Sequence, residues 1–185
     1  MGFDILLIGV ILLANPFHTA TDIIAAVILA VAVRRAEGML RDFKKARLFS
    51  SALIFIGAVE IIFGYIFPSQ IAMNIAEVWR WGLLIPIEFY LLLGIMDFGM
   101  INENAEIYTG AERLKKPVYI TFSAVACAEV VSAIFPGFDI VSVFFRLAAS
   151  VVTAMLAVII FRCHKMTCGE KNIESSEEKN TENKS

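Results

Sequence analysis

The chain has 185 residues, of which 58% are hydrophobic and only 18% are charged, and its mean hydropathy is +0.74. This composition excludes a water-soluble globular domain and predicts an all-α integral membrane protein. The net charge of −2 arises in the last 17 residues, 169–185, which contain five Glu and three Lys. That segment has almost nothing to bury, so we expect a disordered, charged tail after a transmembrane bundle formed by residues 1–168.

The first apolar stretch, 3–33, is interrupted in its middle. A polar break runs from Asn15-Pro16 to Asp22, and proline cannot continue a helix without freeing a carbonyl group. Asp22 is a good N-cap for a second helix, which is predicted from about Ile23. Each half is short for a bilayer core of about 30 Å. The chain is therefore expected to have five spans with a broken first element, or six if both halves cross.

Four further apolar stretches approach the roughly 20 residues that a membrane helix needs. Their charged flanks place them at Leu48–Phe67, Trp81–Asp97, Val118–Phe135 and Ile140–Phe161. Together with the first element they predict a helical bundle of five to six transmembrane segments. Trp79 and Trp81 are expected near the outer membrane interface as aromatic anchors.

Lysine and arginine are distributed unequally over the two ends of these spans. One side has only Arg80, whereas the other side has twelve basic residues. These are Arg34, Arg35, Arg41, Lys44, Lys45 and Arg47, then Arg113, Lys115 and Lys116, then Arg162, Lys165 and Lys171. Because basic residues accumulate on the cytoplasmic side, we expect a multi-pass protein of the cell membrane with its C-terminus in the cytoplasm.

The middle of the chain contains a possible internal repeat. Two segments share a basic pair, a glutamate and a closing Phe-Pro at nearly equal spacing: Lys44-Lys45, Glu60 and Phe67-Pro68, then Lys115-Lys116, Glu129 and Phe135-Pro136. Two helical hairpins of common origin, arranged as parallel repeats, would explain the pattern and would suit a transporter. The alternative is that two membrane hairpins each begin with lysine and end near proline by chance.

Four ionisable residues lie inside the predicted spans: Glu60, Glu88, Glu129 and Arg146. An intramembrane charge is costly unless it is paired or hydrated, so each one is a candidate for a functional site. Each lies six or seven residues, or about 10 Å, from the outer end of its predicted span. We therefore expect them to form one polar layer contributed by four helices.

The spacing of residues around Arg146 indicates what it contacts. Arg146 shares a helical stripe with Ser142 and Thr153, so it is expected to face protein rather than lipid. Glu129 lies at a matching depth across a short turn, and we predict that the two residues pair.

Three carboxylates against one guanidinium leave an excess of acid in this layer. A bound cation, a cationic solute or carboxyl protonation must balance that excess. His18 and Asp22 of the broken first element are expected to be able to join the same site.

Two functions fit this pattern. The first is the binding or translocation of a small solute or cation through an outward-facing polar layer. Its expected partners are the lipid bilayer, a small cationic solute or ion, and partner membrane subunits. One version is a substrate-binding subunit like those of energy-coupling-factor transporters, which have similar size and helix count, with Ala26 and Ala30 contacting a partner helix. The second is a non-transporting structural or regulatory membrane protein whose charges only staple helices together.

Nothing in the sequence predicts an enzyme, a cofactor or a nucleic-acid partner. The two histidines are expected on opposite sides of the membrane, which argues against a catalytic constellation. Cys163, His164 and Cys168 lie close together, but their spacing matches no zinc pattern, so no metal site is predicted.

The N-terminal quarter carries two recognisable strings. In the first, Asn15-Pro16 precedes Asp22 and two isoleucines, and in the second Asp42-Phe43-Lys44-Lys45-Ala46-Arg47 leads into the next span. In both, the chain resembles a group of small multi-pass membrane proteins of Gram-positive anaerobic bacteria that have no assigned activity. The resemblance implies a membrane protein and no particular reaction.

Overall fold

The computed structural model describes residues 2–14, 19–36, 41–135 and 137–182, and these contain helices and turns but no strand. The helices of this part are α1 Phe3–Leu13, α2 Thr19–Ala36, α3 Arg41–Ile61, α4 Gln70–Ile101, α5 Ala105–Ile134 and α6 Asp139–Glu182. A π-helical turn, Ile62–Ile66, extends α3. The helix α3 together with this turn is long and apolar enough to cross a membrane, and so are α4, α5 and α6. The predicted all-α membrane bundle is therefore confirmed.

The six helices close into a ring. Each one packs against its neighbours in the chain, α1 also packs against α6, and α4 touches α6 across the interior. One continuous hydrophobic core lies inside the ring, and its largest completely buried side chains include Phe43, Leu91 and Phe122. Apolar side chains such as Phe55 and Phe144 point outward, where a bilayer would cover them.

The two ends of the bundle differ in character. At the end that we call the basic end, α1, α3 and α5 begin while α2 and α4 finish. The ring of Phe3 lies 6.5 Å from that of Phe43 in α3 and 4.8 Å from that of Phe98 in α4, which brings these helix ends together. The opposite end, called the turn end, has the connections between α3 and α4 and between α5 and α6.

The first element is a hairpin whose two helices run antiparallel. A Cβ atom on Gly2 would lie 2.8 Å from the carbonyl oxygen of Ala32, and one on Gly9 would lie 2.9 Å from Leu29. At 1.5 Å per residue α1 is about 16 Å long, too short to cross a core of about 30 Å. The predicted break at Asn15-Pro16 lies outside the described residues, between the end of α1 and the start of α2.

The prediction that Ala26 and Ala30 of α2 contact a partner helix is wrong. Ala26 is completely buried inside the bundle, because α2 lies between α1 and α3 in the ring. Ala26 and Ala30 therefore cannot both face a partner helix.

Helix α4 begins at Gln70, eleven residues before the predicted span Trp81–Asp97. The prediction started too late because it treated Arg80 as a loop charge. In the structure Arg80 lies within the helix, is 5% exposed, and pairs with Glu77 at 3.4 Å. The outward-facing apolar side chains of α4 accordingly begin at Ile71.

Helix α6 also differs from its prediction, since it continues to Glu182 instead of giving way to a disordered tail at residue 169. The physical reason lies in the composition of 170–182, which has no proline or glycine and is rich in glutamate and lysine. Both residue types have high helix propensity.

The α3–α4 and α5–α6 hairpins run in the same direction, as the predicted parallel repeat requires. Glu60 and Glu129, the matching glutamates, are both buried. The hairpins are not identical, because only α3 ends in a π-helical turn.

Candidate functional site

Arg146 of α6 lies at the centre of a charged network near the turn end. Its Nε donates a hydrogen bond to Oε1 of Glu129 at 2.6 Å, and its Nη2 donates to Glu77. The hydroxyl of Ser142 donates to the same oxygen of Glu129. The predicted pairing of Glu129 with Arg146 is therefore confirmed, and it joins α5 to α6 and, through Glu77, to α4.

Arg80 extends this network along α4. Its Nη2 lies 3.4 Å from Oε1 of Glu77, and its guanidinium lies 5.3 Å from the ring of Trp81. The guanidinium of Arg146 lies 6.0 Å from the same ring, within the range of a cation–π interaction. Trp81 is buried and packs against Phe122, so its predicted place at the lipid interface is wrong.

Over the residues that the structure describes, the charges of this network balance. Two carboxylates, Glu77 and Glu129, face two guanidiniums, Arg80 and Arg146. The sequence predicted more carboxylates than guanidiniums in the layer, because the predicted span began at Trp81 and so excluded Glu77 and Arg80. Their spacing of three residues, which suits an ion pair on one helical face, was the signal that could have placed them inside it.

Glu88 is separate from this network, and its predicted depth is wrong. Eleven residues, or about 16 Å of helix, separate it from Glu77 on α4. Its contact is Thr153 of α6, which lies seven residues, or about 10 Å, from Arg146. Glu77 therefore takes the place in the layer that was predicted for Glu88, because α4 begins earlier than expected.

The surroundings of Glu88 are unusual for a carboxyl group. Its side chain is 1% exposed, and its Oε1 accepts a hydrogen bond from the hydroxyl of Thr153. Its Oε2 has no hydrogen-bond partner among the described residues, and none of the ion pairs found there involves it. Glu88 and Thr153 meet where α4 touches α6 across the ring.

Glu60 lies on the side of α4 that faces α3, away from the Arg146 network. Glu60 is buried on α3, which in the described part of the chain packs against α2 and α4 but not against α5 or α6. Ile23 of α2 fills the space beside Gly57, which places the start of α2 about one turn from Glu60. His18 and the side chain of Asp22 lie outside what the structure describes.

Two surface grooves lie between α4 and α5. One, of about 310 Å³, is next to Trp79 near the turn end, and the other, of about 340 Å³, is next to Lys115. Neither is lined by Glu60, Glu88, Glu129 or Arg146. Over the residues that the structure describes, no group of three or more His, Cys, Asp or Glu is placed to hold a metal ion.

Comparison with known proteins gave no relative: no family model, no curated protein and no solved structure matches the chain. The resemblance of the N-terminal quarter to small membrane proteins of Gram-positive anaerobes stays a prediction. Function must therefore be inferred from the geometry of the bundle.

Proposed function

We propose that this membrane protein binds a small cation or cationic solute, or carries it across the bilayer, and that Glu88 accepts it. One observation carries the proposal: Oε2 of Glu88 is buried in the bundle and has no hydrogen-bond partner among the described residues. A buried carboxylate is costly unless hydrogen bonds or a positive charge compensate for its lost hydration. Thr153 supplies one hydrogen bond, and a bound cation would supply the rest.

The position of Glu88 favours a ligand inside the ring over one on the lipid-facing surface. The α4–α6 contact that Glu88 makes with Thr153 crosses the ring interior. The neutral network around Arg146 lies between this contact and the turn end. In this proposal the network holds α4, α5 and α6 together, while Glu88 binds the ligand.

The neutrality of the Arg146 network favours a second candidate, a structural or regulatory membrane protein without a ligand. Each of its four charges already has a partner of opposite sign, so the network requires no external ion. Under this alternative Glu88 and Thr153 only tie α4 to α6.

We also propose that the protein lies in the cell membrane with its basic end in the cytoplasm. The twelve-to-one distribution of basic residues supports this orientation. Because α1 begins at the basic end and α6 runs towards it, both termini would then be cytoplasmic. Any partner subunit would have to use a surface other than Ala26.

A thermal-shift experiment tests the ligand proposal. Purified protein would be melted with sodium, potassium, magnesium, choline and spermidine, for wild type and for Glu88→Gln. We expect at least one cation to raise the wild-type Tm in a saturable way, because binding at 100 times Kd stabilises by about 2.7 kcal/mol. For a chain of this size, that is a shift of roughly 5–10 °C. Glu88→Gln should remove the shift.

The matched control is Glu106→Gln, since Glu106 is 78% exposed and lies away from Glu88 on α5. It should respond to the cation like wild type. Thr153→Val, which removes one hydrogen bond, should weaken the apparent affinity about 5–10-fold without abolishing it. If no cation raises the Tm of the wild type, or if a cation raises the Tm of Glu88→Gln equally, the proposal fails and the structural alternative is favoured.

A further inference from the structure

The second groove, near the basic end, has a combination of side chains that the proposed function does not use. Its wall consists of Phe89 from α4 and Lys115, Lys116, Tyr119 and Ile120 from α5. Nζ of half-buried Lys115 lies 5.9 Å from the ring of Phe89, while Tyr119 and Ile120 are 60% and 65% exposed. The groove is therefore apolar on its walls, open to the outside of the bundle, and basic at one end.

This groove lies where the polar part of α5 meets its apolar part. The helix is rich in charge up to Lys116, whereas from Pro117 to Ile134 its only charged residue is the buried Glu129. In a membrane, a lysine at such a boundary places its ammonium group among the headgroups and its methylene chain against hydrocarbon. Tyr119 and Ile120, one turn further on, would then lie at the level of the acyl chains.

The two lysines of the groove are not neutralised by the protein. None of the ion pairs in the described part of the chain involves Lys115 or Lys116. Lys45, at the same end of the bundle, instead pairs with Asp42 at 3.5 Å. The groove therefore combines two available positive charges with an apolar wall, which is complementary to a phosphate group attached to a hydrocarbon chain.

We propose that this groove binds an anionic phospholipid such as phosphatidylglycerol. Its phosphate would lie between the ammonium groups of Lys115 and Lys116, and part of one acyl chain would lie along Phe89, Tyr119 and Ile120. Basic pockets between membrane helices on the cytoplasmic side bind anionic headgroups in this way. The site is independent of Glu88, which faces α6.

Native mass spectrometry of the detergent-purified protein tests the proposal, with titrations of phosphatidylglycerol, phosphatidylcholine and inorganic phosphate. A basic residue near an anionic headgroup contributes about 1 kcal/mol, so Lys115→Gln/Lys116→Gln should bind phosphatidylglycerol about 30-fold more weakly. The matched control is Lys44→Gln/Lys45→Gln, the same charge change at the same end of the bundle, which should lose less than about threefold.

A third variant, Ile120→Trp, fills the groove and retains both lysines, so it decides the question if the double glutamine variant fails to fold. It should weaken phosphatidylglycerol binding at least about tenfold, because it keeps about two CH₂ groups of the acyl chain out of contact with the groove. Equal binding of phosphatidylcholine, an equal effect of free phosphate, or an equal loss in the Lys44 and Lys45 control would overturn the proposal. Occupation of the groove by a second copy of the chain, seen as a dimer that Ile120→Trp dissociates, would also overturn it.

Discussion

Among the single residues, Arg146 has the most consequential position, because it bonds to two carboxylates on two other helices. Glu129 is buried, and Ser142 and Arg146 both donate to it. Removing one member of such a pair leaves an uncompensated charge, which costs more than the pair contributes when both members are present. The network therefore makes a prediction about coupling.

We predict that Arg146→Met lowers the free energy of unfolding by about 3 kcal/mol and the Tm by roughly 6–12 °C. The double variant Arg146→Met/Glu129→Gln should melt closer to wild type than Arg146→Met does, because no unpaired carboxylate is left at position 129. The measurement is a double-mutant cycle of melting temperatures in detergent.

The same helices offer a matched control, the exposed pair of Arg162 with Glu106 at 3.1 Å. The equivalent variants there should each change stability by less than about 1 kcal/mol, because solvent screens an exposed ion pair. Additive effects at Arg146 and Glu129, with no recovery in the double variant, would contradict the pairing.

The charged residues also indicate what a sequence can and cannot reveal about a membrane site. The pairing of Glu129 with Arg146 was predictable, since a short turn fixes both at equal depth on adjacent helices. The position of Glu88 was not, because its depth depends on where α4 begins. The residues before Trp81 can belong to the membrane helix because Glu77 and Arg80 neutralise each other. Their spacing of three residues is compatible with a helix, but two opposite charges at that spacing can equally lie in a loop.

At the scale of elements, α4 is central to the arrangement, since it contacts α3, α5 and α6. Its close approach to α3 depends on Gly94, where a Cβ atom would lie 2.6–2.9 Å from three ring atoms of the completely buried Phe43. Gly82 on the same helix has no neighbouring atom within 4 Å of a Cβ. Substituting each glycine by alanine therefore distinguishes the effect of packing on stability, at Gly94, from the effect of helix propensity, at Gly82.

We predict that Gly94→Ala destabilises the protein by about 1–3 kcal/mol, because the ring of Phe43 must move within a filled core. Gly82→Ala should leave the stability unchanged or raise it by up to about 1 kcal/mol, because alanine is the better helix former. Melting curves of both variants check this. Equal changes of Tm in the two variants would mean that α3 and α4 do not meet at Phe43.

Hydropathy indicated that these helices exist but did not fix their ends. The π-helical turn Ile62–Ile66 and the start of α4 at Gln70 follow from local geometry around Pro68, not from apolar content. The charged end of α6 was predicted to be disordered because it has almost no apolar side chains to bury. That prediction did not take into account the high helix propensity of its glutamate and lysine residues.

At the scale of the whole molecule, the ring returns the chain to the end where it started. The antiparallel α1–α2 hairpin and the direction of α6 place Asp4 and Lys165 at the same end of the bundle. The sequence did not decide between five and six spans, since each half of the first element is short for a full crossing of the bilayer. The contacts between Gly2 and Ala32 make the first element a hairpin.

We predict that both termini face the cytoplasm. Single cysteines would be placed at Asp4, at Lys165 and, in the α3–α4 turn, at Phe67, in a chain whose three native cysteines are replaced. A membrane-impermeant maleimide should label only the Phe67→Cys protein in intact cells and the other two after lysis. Labelling of the Asp4 and Lys165 positions from opposite sides would contradict the ring.

The position of a bound cation tests the role of Glu88 most directly. The measurement is a high-resolution structure of the protein with the cation that stabilises it most, compared with the same structure of Glu88→Gln. We predict density for the cation beside Oε2 of Glu88, between α4 and α6, and none in the variant. A cation bound only among Glu77, Glu129 and Arg146, or an Oε2 atom bonded to another protein group, would contradict the proposed function.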